Sequence, residues 1–187
     1  MDNPLVLGAG AVLLILLLWF VVNYNRFVRV RQHIRESWAD IDVELKRRYD
    51  LIPNLVATVK GFAKHEKDVL ESVIELRSRA QSNRGSAASQ AVDESALMIG
   101  LKQLFAVVEG YPQLKSDAHF LALQSELGLT EDRIAAARRF FNANVRELRQ
   151  LREMFPSSII ASICSIEEPT FFELESDAER VVPRVSL

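Results

Sequence analysis

The densest chemical cluster in this chain of 187 residues is Lys46-Arg47-Arg48-Tyr49-Asp50, with Asn54 just beyond it. Guanidinium groups grip carboxylates and phosphates through paired N–H donors, so such a run suits an anion or an acidic partner. Arg138-Arg139 offers the same chemistry from a distant segment. One reading makes Lys46, Arg47, Arg48, Asn54, Arg138 and Arg139 a weak anion or partner contact. The plainer reading makes them charges near helix ends, held by the helix dipole and by pairs such as Glu44 with Arg48. Asn142 and Asn144, beside Phe140-Phe141, read as polar contacts inside a helical bundle rather than as ligands.

Chemistry of other kinds finds little footing. His65-Glu66 lacks the second histidine four residues on that zinc ligation on a helix requires. His33 has no histidine partner on the same helical face, only Glu36 three residues on, and His119 has neither an acid nor a histidine there. A nucleophile needs an adjacent base that is itself oriented, and no G-x-S-x-G or comparable arrangement occurs. Cys164 is the single cysteine, set in SIIASICSI, and is expected to be a small buried hydrophobe with no internal disulfide. The seven glycines are scattered, so no phosphate loop forms. No catalytic residue, metal ligand or cofactor is therefore assigned. A net charge of −2 and a pI near 6.0 argue against nucleic acid as the main partner.

The elements that hold these residues begin with an uncharged stretch from Pro4 to Val22, PLVLGAGAVLLILLLWFVV. As a helix it spans roughly 28 Å, close to the ~30 Å hydrocarbon thickness of a bilayer. A transmembrane helix over residues 4–22 is expected, after a short tail of residues 1–3. A secretory signal peptide is the rival reading, but the run is long, Asp2 precedes it and no A-x-A pattern follows. Trp19, Phe20 and Tyr24 suit the headgroup level, and no cysteine ends the segment to accept a lipid. Arg26, Arg29, Arg31 and Arg35 follow with no acid among them, so the positive-inside bias puts the C-terminal domain in the cytoplasm. The alternative is an extracytoplasmic body with these arginines on a solvated helix face.

Residues 23–187 read as one domain, helical almost throughout. Ile34, Trp38, Ile41, Leu45, Tyr49, Ile52, Val56, Val59, Ala63, Leu70, Ile74 and Arg77 recur at helical spacing and predict one buried stripe. Pro53 either kinks a nearly continuous helix or separates two, and the unbroken phase favours the first. Ser78–Ser95, rich in Ser, Ala and Gln, reads as a helix end and a mobile connection. Leu97, Leu101, Leu104, Val108 and Tyr111 predict a second helix, broken at Gly110-Tyr111-Pro112. A shorter piece, Leu114 to Leu127, is expected to end at Gly128, with Thr130 capping a helix that carries Ile134, Phe141, Val145 and Leu148 to about Met154. Phe155-Pro156 stops it, and the remainder reads as a strap and an acidic end. The expected fold is all-α: an elongated antiparallel helical bundle, four-helix in type, following one N-terminal transmembrane helix.

At this point the residues match a family. The segments Trp38–Val73, Leu104–Leu127 and Thr130–Val145, the element FPSSIIA from Phe155, Phe172-Glu173 and the Tyr24-Asn25 pair together resemble the LemA family. The resemblance implies a bacterial membrane protein with one N-terminal span or lipid anchor and a helical body of the four-helix-bundle kind. It implies no established catalysis, and an envelope role, in some members beside membrane metallopeptidases and in one branch at magnetosome membranes. Members that are lipoproteins carry a cysteine before the Tyr-Asn pair, where this chain has Val22-Asn23. Gly110 stands where a bulkier residue is expected.

The expected function is a membrane-anchored, non-enzymatic scaffold or adaptor that recruits envelope proteins or its own copies, with Ile166, Phe171 and Phe172 offered to partners. The alternatives are a hydrolase or metal-dependent enzyme whose site assembles only in the fold, and a membrane-shaping protein acting through Arg26 to Arg35.

Overall fold

The computed structural model describes residues 4–174, with side chains from Gly8 onward. Its first element, α1, is a single helix from Pro4 to Phe62. Unbroken amphipathic phase builds it: Phe27, Val30, Ile34, Ile41, Leu45, Tyr49, Ile52, Val56 and Val59 are all buried. Pro53 lies inside the helix, as the phase predicted. A proline there leaves the carbonyl four residues back without its donor. That carbonyl belongs to Tyr49, and the guanidinium of Arg77 donates to it from Nε at 2.6 Å. A side chain from a later helix thus replaces the missing N–H, and α1 continues.

The stripe expected to run on to Arg77 is interrupted after Phe62. The chain turns through Ala63–Glu66 and reverses into α2, Lys67–Ser82. The phase survives because α2 packs back on α1, with Ala63, Leu70 and Val73 all buried. A second correction concerns Ser78–Ser95. Only residues 83–86 are loop; α3 spans Ala87–Val108, its first turn capped by Ser86 Oγ, which accepts from Ser89 N at 3.2 Å. Leu97, Leu101, Leu104 and Val108 are buried as expected, and the break at residues 109–111 stands. The turn α4, Pro112–Lys115, leads to α5, Ala118–Glu153, capped by Asp117.

A third correction lies in α5, which does not end at Gly128. Nothing surrounds a Cβ built there within 4 Å, and the helix runs through. Thr130 is no cap: it is fully buried, and its hydroxyl donates to the carbonyl of Glu126 at 2.8 Å. Then α6, Ser157–Ile163, follows the Phe155-Pro156 stop. Among the described residues there is no strand.

Side-chain pairs fix the directions. Arg47 meets Glu126, Asn144 meets Ser37 and Arg26 meets Glu147, so α5 runs antiparallel to α1 along most of its length. Arg79 meets Asp93, and a Cβ on Gly100 would lie 2.7 Å from Leu76 Cδ1, so α3 runs antiparallel to α2 at close range. After α6 the chain crosses the bundle as the expected strap. Phe172 N and O are both held by the Asn142 amide at 3.0 Å, and Trp38 lies against Phe141 and Phe172 at ring separations of 5.3 and 5.8 Å. The acidic end expected beyond residue 174 lies outside the described residues.

The first turns of α1 differ from the rest. Val12 through Leu18 are exposed, and the helix holds a window of mean hydropathy 1.9, long and apolar enough to cross a membrane.

Candidate functional site

Arg48 occupies a stripe position of α1, between Leu45 and Ile52, and its side chain is 1% exposed. An ionised group so placed must be paired, because desolvation otherwise costs several kcal/mol. Its Nη2 pairs with Glu94, also 1% exposed, from α3. Its Nη1 donates to both carboxylate oxygens of Glu131 of α5, at 2.9 and 3.1 Å. Three helices therefore meet on one guanidinium.

The network extends through neutral donors. Tyr49 OH donates to Glu94 Oε1. Gln90 Nε2 donates to the same oxygen at 2.7 Å and to the Ala80 carbonyl at 3.0 Å. Burial pushes the Tyr49 phenol up to about 12, against the opposing pull of the Arg48 charge. It keeps its proton and acts as a donor at ordinary pH. Towards the loop, Asp93 is held by Arg79 at 2.6 Å and by Asn83 at 2.5 Å.

Such a network is suited to fixing helix register. The strong acceptors already hold donors, and no serine or cysteine nucleophile stands among these groups. Among the described residues no group of three or more His, Cys, Asp or Glu side chains is placed to hold a metal. His33, His65 and His119 are exposed, and Cys164 is half-buried against the core.

The cations singled out from the sequence separate. Arg48 is committed to Glu94 and Glu131. Arg47, next to it, faces outward and lies 3.8 Å from Glu44 and 3.7 Å from Glu126. Lys46, Asn54 and Arg139 are exposed, and Arg138 is half-buried. Asn142 and Asn144 make the bundle contacts expected of them, Asn144 to Ser37 Oγ at 3.2 Å and to the His33 carbonyl at 3.3 Å. Ile166 and Phe172, expected to be offered to partners, are instead buried under the strap, and Phe171 is half-buried with Arg149 4.9 Å above its ring. Gln90 and Glu94 were not found from the sequence. Their signal was their phase: they continue the four-and-three spacing of Leu97, Leu101 and Leu104 backwards into the supposed linker.

One shallow groove lies at the end of the body far from the apolar turns, between α1 and α2. Val56, Leu70 and Ile74 contribute its apolar lining, with Lys60, Lys64 and Lys67 beside Glu71 and Glu75.

An all-helical body with a buried polar network, carried on a helix apolar enough to span a bilayer, defines a membrane-associated helical class. The chain belongs to the LemA family, whose profile matches residues 37–187. It is similar to Magnetosome protein MamQ of Magnetospirillum gryphiswaldense, with 22% identity over 98% of this chain and 81% of that protein. It is also similar to Magnetosome proteins MamQ 1 and MamQ 2 of Paramagnetospirillum magneticum, each 23% identical over 82% of this chain and 65% of the relative.

Proposed function

We propose that this protein is a membrane-anchored, non-enzymatic scaffold or adaptor at the bacterial cell envelope. Residues 4–22 lie in the bilayer, and the described residues from 23 onward form one antiparallel body of the four-helix type that recruits or organises partner proteins. The observation that carries this reading is the continuity of α1, which passes from exposed Leu18 to fully buried Phe27 without a break. A body joined by unbroken helix holds a defined position on the membrane, which positioning a partner demands and diffusion-limited catalysis does not. The magnetosome names of the relatives support a role in organising a bacterial structure.

The partner is an envelope protein or a second copy of this chain. Exposed Lys46, Arg47 and Arg139, with Asn54, are separate candidate contacts for its acidic groups. The body faces the cytoplasm, held so by Arg26, Arg29, Arg31 and Arg35, all exposed just beyond the span.

Three measurements test this. The protein should stay in membranes through an alkaline wash, and pull-down from solubilised membranes should recover a stoichiometric partner or a homo-oligomer. Release by the wash defeats the anchor; a wash-resistant monomer with nothing enriched defeats the scaffold. A cysteine at exposed Arg84, in a Cys164→Ala background, should react with an impermeant thiol reagent in inverted vesicles and not in intact cells.

A further inference from the structure

The hairpin between α5 and the strap carries an apolar surface that the bundle does not cover. From Met154 to Ile166 the sequence MFPSSIIASICSI contains no charged residue. The short helix α6 is two-sided. Ser157, Ile160 and Ala161 are buried against the body. Ile159 and Ile163, one turn apart, point away from it at 46% and 68% exposed, and Phe155, just before the helix, is 81% exposed. Met154 is exposed beside them. Apolar side chains gathered on one side of a helix, and left open, mark an interaction surface.

The register of α5 on α1 sets the height of that surface. Arg26 lies 3.9 Å from Glu147, and the two helices are antiparallel. The six residues from Glu147 to Glu153 advance roughly 9 Å along α5, equal to the step back along α1 from Arg26 to Phe20. By this pair Glu153 lies level with Phe20 and, by the pairing of Asn144 with Ser37, level with Val28, so α5 ends within about two turns of the apolar span, and Met154 and Phe155 come next. Trp19 and Phe20 agree with this: they are half-buried and pack on the core, whereas Leu13 through Leu18 are open on all sides. The body reaches down to the span at this point.

The flanking charges fit the same position. Arg149 and Arg152 both pair with Glu168, the latter at 2.6 Å, while Glu153 and Glu167, next to the apolar hairpin on either side, are exposed and free to stay in the headgroup layer. Mutual pairing lowers the cost of bringing the two arginines and Glu168 to a headgroup region of reduced polarity.

We infer that the α6 hairpin is a second membrane contact, its Met154, Phe155, Ile159 and Ile163 side chains seated among the lipid acyl chains of the leaflet that α1 leaves. This rests on the anchoring of α1 proposed above. The body then has two attachments, one spanning and one superficial, and is fixed in rotation about the α1 axis as well as in height.

Spin labels on the full chain in liposomes test it. In a Cys164→Ala background, Phe155→Cys, Ile159→Cys and Ile163→Cys are compared with Leu16→Cys inside the span and with Val43→Cys, which is 65% exposed on the body. Oxygen partitions into lipid and a nickel chelate into water. The ratio of oxygen to nickel accessibility should be high at 155, 159 and 163, approaching that at 16, and low at 43. Water-like values at the three α6 positions with a lipid-like value at 16 overturn the second contact and leave the anchor standing. Labels shielded from both reagents identify a second copy or another protein on α6, which also overturns it. A water-like value at 16 overturns both readings together. Helical circular dichroism confirms each variant's fold, and Ile163→Cys, at the more open of the two α6 positions, decides if Phe155→Cys does not fold.

Discussion

Replacing Arg48 by Ala removes the one cation at the meeting point of α1, α3 and α5. Glu94, 1% exposed, is then left as a buried charge whose remaining partners are the Tyr49 hydroxyl and the Gln90 amide. Breaking a buried pair from one side costs about 3–5 kcal/mol, since the surviving charge has lost its counter-ion and has no water. Glu131 adds little to that cost, because at 19% exposure it regains solvent when Arg48 is gone. For a domain of this size each kcal/mol lowers Tm by about 2–4 °C, so the expected fall is about 6–20 °C. The double variant Arg48→Met with Glu94→Met removes both charges at similar volume and should recover most or all of the loss, since apolar replacements of buried pairs are often neutral or better. Thermal unfolding of detergent-solubilised full-length protein, followed by circular dichroism, reads all three proteins. If the double variant is as unstable as Arg48→Ala, the penalty does not come from an uncompensated charge, and the account of the network is wrong.

Two further outcomes follow from other parts of the structure. Gly128→Ala should stabilise the protein by about 0.5–1 kcal/mol, because the site is interior to α5 and a Cβ there meets nothing within 4 Å; a loss of stability in denaturant unfolding would mean the helix breaks there after all. In an ultraviolet titration of phenolate absorbance, one of the three tyrosines should ionise near pH 12 rather than 10.0, and Tyr49→Phe should remove that late component. The unfolded chain releases this proton near 10.0 and the folded chain holds it to about 12, so the Tyr49 contribution to stability is present below pH 10.0 and is lost as pH rises between those values.

Much of this architecture was legible because burial imposes a period. The α1 stripe, the break before Pro112 and the core of α5 all follow from apolar spacing alone. Most of what spacing does not reveal shares one cause: polar residues in stripe positions. Gln90, Glu94 and Ser95 made the start of α3 look like linker, although Ala91 and Met98 lie in the same buried surface. Arg48 looked like a surface cation because nothing local shows that Glu94 and Glu131, 46 and 83 residues away, will meet it. Thr130 mimicked a cap since its hydroxyl satisfies a backbone group either way, and only its burial reveals the helix interior. The turn at Ala63–Glu66 was hidden for the opposite reason, as α2 resumes the stripe in phase. Pro53 was read as tolerated from phase, and Arg77 shows why. The hairpin at Phe155 was recognised as a stop, but its height beside α1 depends on helix pairing that spacing cannot give.

The unbroken length of α1 makes it a mechanical lever. From Val22 to Phe62 it stands about 60 Å beyond the apolar turns, at 1.5 Å per residue. With residues 4–22 anchored in the bilayer as proposed, a tilt of about 10° there, such as a change in bilayer thickness induces, swings the distal turn sideways by about 10 Å. The lysine-rimmed groove sits at that swinging end, with Lys60 in the last turn of the helix and Lys64 just beyond it. Angular changes too small to disturb packing near the lipid thus become displacements of a whole helix width at the other extremity.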